Sequence, residues 1–224
     1  MKGLLLAGGS GTRMHPLTLA VNKHFLPIAT KPMIYYSLVN FLLAGIKEIC
    51  IVINPKDRNA FQDLLGDGSH LGIAIEYIEQ EEPGGIVHAI MCAEDYLMNE
   101  AFLLVLGDNL IFGESWSTKL QTLVTMETDV ATCFVKKVLN PEELGVLVIS
   151  GDEAVAIVEK PTKFVSDQAI IGIYSFPKGH QELIGGIEPS KRGEYEITSL
   201  LSMYLDSKKL EYKKIGRGTI WYDL

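Results

Sequence analysis

Short apolar runs recur along the chain between longer stretches of mixed polarity. Gly3 to Ala7, Glu48 to Ile53, Ile73 to Ile78 and Ala101 to Leu106 are nearly unbroken apolar stretches. That is the pattern of strands covered on both faces, as in a parallel sheet. Between them, Met33 to Ala44 carries apolar residues at helical spacing and is stopped by Gly45. Asp57 is placed to cap a helix through Leu65, and a further helix is predicted from Ile86 to Tyr96, opened by Gly85. Strand–helix alternation with short turns predicts a doubly wound, three-layer α/β fold.

The pattern changes after a helix over 115–125 and a strand from Val130 to Val138. Gly145 to Ile149 and Ala154 to Val158 flank a Ser-Gly-Asp turn and read as an antiparallel hairpin. A strand from Ala169 to Phe176, a helix from Glu196 to Leu205 and short strands at 210–215 and 219–222 complete the chain. This half is mixed or antiparallel, a smaller lobe joined to the parallel sheet. The whole reads as one Rossmann-like domain over residues 1–224, with halves at 1–135 and 136–224.

Composition narrows the class. An apolar fraction of 47% over 224 residues supports a sizeable core. A net charge of −8 argues against nucleic acid as a partner, since phosphate backbones are bound by clustered Lys and Arg. No apolar run approaches the roughly 18 residues of a membrane span, so no membrane partner is expected. Cys50, Cys92 and Cys133 are widely spaced in apolar surroundings and read as buried free thiols. With no recognisable leader at the start, a cytoplasmic location is expected.

The candidate chemistry begins at the first strand end. Leu6-Ala7 runs into Gly8-Gly9-Ser10-Gly11-Thr12-Arg13. Three glycines in four residues allow close backbone approach, and successive N–H groups can form an anion nest. Arg13 adds a planar donor fork suited to phosphate. Gly11 is followed by Thr-Arg and not Lys-Ser/Thr, which excludes a nucleotide-binding P-loop, and the dinucleotide spacing is absent. Lys23, in a proline-punctuated loop, either points back at the glycines or is a solvated surface lysine, which its residue type alone favours. Asp108 ends a buried strand, where it either holds a divalent ion beside phosphates or serves a Gly-Asp-Asn turn. The five histidines show no metal-ligand spacing.

The glycine loop, Asn22-Lys-His-Phe-Leu-Pro-Ile28 and Lys31-Pro-Met33 resemble the sugar-1-phosphate nucleotidyltransferases. Leu65-Gly-Asp-Gly-Ser69, Glu79-Gln80, Leu106-Gly-Asp-Asn109, Glu159-Lys-Pro161, Arg192-Gly-Glu-Tyr-Glu-Ile-Thr198 and Trp221-Tyr-Asp223 continue the likeness in unbroken order. It is strongest to the thymidylyl-transferring members. The resemblance implies in-line attack of a sugar 1-phosphate on the α-phosphorus of a nucleoside triphosphate, without a covalent enzyme intermediate. It implies a triphosphate held by Leu6, Ala7, Gly8, Gly9, Gly11, Thr12 and Arg13, with Lys23 neutralising charge. It implies Mg²⁺ on Asp108 and Asp223, a base read by Gln80 and Gly85, and Trp221 in the substrate site. On the sugar side it implies Lys160 on the phosphate, Glu159 on hydroxyls, and Gly145 and Ile171 lining the pocket. The Gln80 amide offers one donor and one acceptor, matching the edge of thymine or uracil.

Three departures stand out. Relatives continue past the Trp-x-Asp segment, so a C-terminally truncated chain is expected. Leu144 replaces a frequent aromatic residue, and Gly84 and His88 vary the segment near the base. A homo-oligomer is implied by the relatives.

Overall fold

The computed structural model describes residues 1–9, 11–125 and 129–224, apart from the side chain of Arg13. In chain order the elements are β1 (Lys2–Leu6), β2 (Pro27–Ile28), β3 (Lys31–Pro32), α1 (Met33–Ala44), β4 (Glu48–Ile53), α2 (Arg58–Leu65) and β5 (Ala74–Glu79). Then come α3 (Ile86–Cys92), α4 (Glu94–Leu97), β6 (Phe102–Leu106), β7 (Asn109–Gly113), α5 (Trp116–Thr125) and β8 (Ala131–Lys137). The chain continues with β9 (Gly145–Ser150), β10 (Glu153–Glu159), β11 (Gln168–Phe176), α6 (His180–Ile184), α7 (Ile197–Asp206), β12 (Leu210–Lys214) and β13 (Thr219–Asp223).

One nine-stranded sheet runs β10-β9-β11-β6-β1-β4-β5, with β8 joining β11 to β12. β1 lies parallel to both β4 and β6, and β5 continues the parallel half. β11 turns the sheet antiparallel where it meets β6. The hairpin β9–β10 is therefore continuous with the parallel sheet. Alternating residues feed two apolar layers, because successive strand side chains point to opposite faces. Leu4, Cys50 and Leu104 pack with α3, α4, α6 and α7. Leu5, Ile49, Ile51 and Val105 pack with α1, α2 and α5. The three layers predicted from the apolar runs are present.

Some local expectations change. The helix predicted from Ile86 to Tyr96 breaks at Ala93, whose N–H donates back to Ala89 O and Ile90 O before α4 begins. Asp57 does not cap α2. It already lies in a helical turn, and its carboxylate accepts from Asn22 Nδ2 at 2.8 Å. The strand β7 and the short helix α6 had no counterpart in the pattern. Cys50, Cys92 and Cys133 are free thiols, the second half-buried. Among the described residues no helix is long and apolar enough to cross a membrane.

Packing under α1 is tight at Gly3. A Cβ there would lie 2.8 Å from Phe41 Cδ1 and 3.2 Å from Ile49 Cγ1. Phe41 is fully buried, so neither neighbour can swing aside. Gly3→Ala is expected to cost about 1–3 kcal/mol of stability. A urea melt of the purified variant checks this.

Candidate active site

The parallel strands end on one edge, and the site is built there. β1 leads into Ala7, whose N–H is held by Val52 O at 2.8 Å. Gly11 sits in the left-handed region with φ 63°, and Thr18 Oγ1 donates to its carbonyl at 2.6 Å. A side chain at Gly11 would meet Thr18 Cγ2 at 3.0 Å. Ala7 is buried, and Thr12 is exposed in a short 3-10 turn. Ser10 and the Arg13 side chain lie outside the described residues.

Asn22 ties this loop to its surroundings. Its Nδ2 donates to Ala7 O at 3.3 Å and to Asp57. Its Oδ1 accepts from the backbone and the Nδ1 of His24, at 3.0 and 2.7 Å. The next residue, Lys23, is buried and not a surface lysine. Its Nζ donates to Asp108 Oδ2 and to Leu224 O at 3.1 Å. Burial pushes the Asp108 carboxyl up, but the Lys23 ammonium and the Asn109 amide outweigh it and hold the group below the ordinary carboxylate range.

Asn109 is the joint between elements. Its Nδ2 donates to Asp108 Oδ1 at 2.9 Å. Its Oδ1 accepts from Gly172 N at 2.9 Å and from Trp221 Nε1 at 2.6 Å. Gly172 must lack a side chain, since a Cβ would stand 2.6 Å from Asn109 Nδ2. β13 pairs with β7 so that Asp223 faces Asn109 across the ladder. Asp223 thereby arrives beside Asp108, and Leu224 N–H donates to Asp108 O at 3.2 Å. Among the described residues no three metal-ligating side chains cluster. Two carboxylates on one wall still suit Mg²⁺, which keeps waters and takes substrate phosphate oxygens as its other ligands.

A cleft of about 490 Å³ opens from this wall, lined by Asp108, Asp223 and Trp221 and also by Gly145, Glu159 and Lys160. Gly85 also lines it. The glycine loop lies outside this wall and adjoins it through Lys23, whose Cε is the atom nearest a Cβ built at Gly9, at 3.8 Å. Lys160 is exposed at the rim with φ 41°, its N–H held by Leu144 O at 3.1 Å. Glu159 accepts from Thr198 Oγ1 at 3.1 Å and lies 3.7 Å from Arg192 Nη2. Burial and the nearby Glu196 push the Glu159 carboxyl above its ordinary range. Arg192 is clamped by Glu196 and Glu194, both at 2.9 Å. Arg192, Glu194 and Glu196 carry no role in the sequence reading, although their segment contributes to the likeness. They reach Glu159 only through folding.

Ile171 is displaced from the expected lining. Strand alternation turns Ile170 and Gly172 to the cleft and buries Ile171 in the apolar layer behind it. Leu6 is half-buried against the opposite layer. Gln80 is buried beside the glycine loop. Its Nε2 donates to Gly85 O at 3.2 Å and to His88 Nδ1 at 2.9 Å. Gly85 has φ 91°, and a Cβ there would sit 2.8 Å from Tyr195 O.

A glycine loop, a buried Lys–Asp pair and a charged cluster meet at one cleft, an arrangement suited to an enzyme that handles phosphorylated substrates. A family model described as nucleotidyl transferase matches residues 2–224. The chain belongs to this family and is a nucleotidyltransferase. It is 43% identical over 224 residues to the glucose-1-phosphate thymidylyltransferase of Neisseria meningitidis, covering all of this chain and 77% of that protein. The Mycolicibacterium smegmatis enzyme of the same name is 38% identical with the same coverage. A Bacillus anthracis structure solved with sucrose, and described as a glucose-1-phosphate thymidylyltransferase, superposes with a TM-score of 0.91 at 32% identity. It is covered to 89%, and this chain to 100%. A UDP-glucose pyrophosphorylase with bound UDP-glucose superposes with a TM-score of 0.84 at 25% identity, over 99% of this chain and 92% of that one.

His24 gives a stability test. Its ring is buried against Gly107, where a Cβ would stand 2.5 Å from His24 Nε2. Burial pushes its pKa from 6.5 down to about 4. The unfolded chain binds this proton first as pH falls, so stability declines from pH 6.5 to about 4 and is intact above that window. The loss is on the order of 3 kcal/mol. Urea melts across this range are expected to show the decline in the wild type and a shallower one in His24→Gln.

Proposed function

We propose that the protein transfers a thymidylyl group from dTTP to α-D-glucose 1-phosphate, releasing pyrophosphate and forming dTDP-glucose. The observation that carries this reading is the pairing of two charge-handling walls across one cleft. Asp108, paired with the buried Lys23, lines it, and so do Glu159 and Lys160. A pure binding module has no need of both.

An oxygen of the sugar phosphate attacks the α-phosphorus in line. The bond between α-phosphorus and its bridging oxygen breaks, and pyrophosphate leaves with the electron pair. Catalysis is then positioning and charge neutralisation. The backbone from Gly8 to Gly11, Thr12 and the Arg13 guanidinium cradle the triphosphate. Lys23 Nζ has three hydrogens, of which Asp108 and Leu224 O take two. The third is available to a phosphate oxygen. Asp108 and Asp223 would hold Mg²⁺, which supplies charge neutralisation on the phosphates when bound.

Lys160 receives the phosphate of the acceptor at the rim, and Glu159 accepts from its hydroxyls. Thr198 and Arg192 keep the Glu159 carboxylate oriented for this task. Asn109 fixes the spacing of the two walls by holding β7, β11 and β13 together.

Pyrophosphate release is the assay, with dTTP, UTP, dCTP and ATP crossed against several sugar 1-phosphates, with Mg²⁺ and with EDTA. Release is expected from dTTP with glucose 1-phosphate, and only with Mg²⁺. Release from UTP and not dTTP overturns the thymidylyl assignment, and no release from any pair overturns the reading. Asp108→Asn is expected to lower kcat/KM by at least about 100-fold. Lys160→Ala is expected to raise KM for the sugar phosphate by about tenfold or more, with KM for dTTP little changed. Equal effects on both substrates would remove Lys160 from the acceptor wall.

A further inference from the structure

Gln80 lies under the glycine loop with its amide oriented by two neighbours. A Cβ at Gly8 would come to 3.3 Å from Gln80 Oε1, so the oxygen faces the loop. The nitrogen faces away. Nε2 reaches Gly85 O at 3.2 Å, and a backbone carbonyl can only accept. Nε2 also reaches His88 Nδ1 at 2.9 Å. A primary amide has two hydrogens, and here both are engaged. His88 Nδ1 must then be the acceptor, which puts the imidazole proton on Nε2.

The ring of His88 is seated for this task. It stacks on Tyr195 with centroids 6.2 Å apart and an interplanar angle of 25°. Gly84 makes room for the accepting atom, since a Cβ there would stand 2.5 Å from His88 Nδ1. Tyr195 N–H in turn donates to Gly84 O at 2.7 Å. His88, Gly84 and Tyr195 form a small fitted set around one amide.

We infer that His88 is a positioning residue for base selection: by taking the second Gln80 hydrogen, it leaves the amide oxygen as the one group Gln80 shows to the base. This rests on the reading that Gln80 faces the base of the nucleotide donor. It also changes the expectation that the amide presents both a donor and an acceptor. A lone, fixed acceptor fits the N3–H of thymine or uracil. Against cytosine it faces the N3 lone pair, and the misfit costs affinity because neither group finds a hydrogen. An unlocked amide could turn over and offer its nitrogen to cytosine N3. His88 therefore acts on discrimination through Gln80, without touching the nucleotide.

Two variants separate this role from plain packing. His88→Phe keeps a ring against Tyr195 and removes the acceptor. His88→Asn places Oδ1 near the position of Nδ1 and restores an acceptor. Binding of dTDP and dCDP by calorimetry, and KM and kcat for dTTP and dCTP, are measured on the full chain. In His88→Phe the thymidine-to-cytidine preference is expected to fall by roughly 5–30-fold, with kcat at saturating dTTP within about twofold of wild type. His88→Asn is expected to keep most of the preference. An unchanged preference in His88→Phe overturns the inference, and so does an equal loss in both variants. Wild-type protein that binds neither nucleotide overturns the thymidylyl reading itself, a distinct result. Should His88→Phe not fold, imidazole carbon and nitrogen shifts of the wild type decide. The Nε2–H tautomer of His88 is expected, and an Nδ1–H tautomer overturns the inference.

Discussion

The buried pair of Lys23 and Asp108 is the constraint around which the functional edge is arranged. Two ions taken out of water each cost several kcal/mol, and their attraction repays this only when every other polar atom is satisfied. The surroundings meet that demand. Asn109 occupies the second Asp108 oxygen, Leu224 O takes another Lys23 hydrogen, and Asn22 and His24 brace the loop that delivers the lysine. Stability alone gives little reason for such a pair, because apolar residues would fill the volume at less cost. Its position at the ends of β1 and β6, beside the glycines, gives the reason: highly charged substrates need counter-charges that are already in place and dry.

The parallel half of the fold was legible in the residues. Strands buried on both faces leave nearly unbroken apolar runs, and β1, β4, β5 and β6 all lie within a residue or so of where those runs place them. α1 was bounded by Pro32 and Gly45, and Gly45 does take up the left-handed turn at φ 79°. The β7–β13 ribbon was not legible as a pair. β7 follows directly on a Gly-Asp-Asn turn, and its partner lies over 100 residues away (Trp221 against Ile111). Such pairing depends on tertiary docking and leaves no local signal.

The site divides in the same way. Residues at strand ends and in glycine loops show themselves through type and spacing. Lys23 could not: an isolated lysine in a proline-rich loop has the composition of a surface residue, and its burial follows from Asp108, 85 residues away. Ile171 was off by a single residue, which in a strand is the difference between cleft and core. Arg192 and Glu196 come to the cleft only because α7 docks behind β10. His88 stood out in the sequence only as a variation, and its contact with Gln80 needs the helix α3 to turn its face toward the end of β5.

The Asn109–Gly172 contact has one more consequence. It lies on the seam where the sheet changes from parallel to antiparallel, and it is made by a backbone N–H on one side and a side chain on the other. The two substrate walls are thus mechanically joined but chemically separate. Glu142, Glu143, Leu144 and Arg192 line the cleft without taking part in that contact. A change at these margins therefore leaves the joint between the strands as it is.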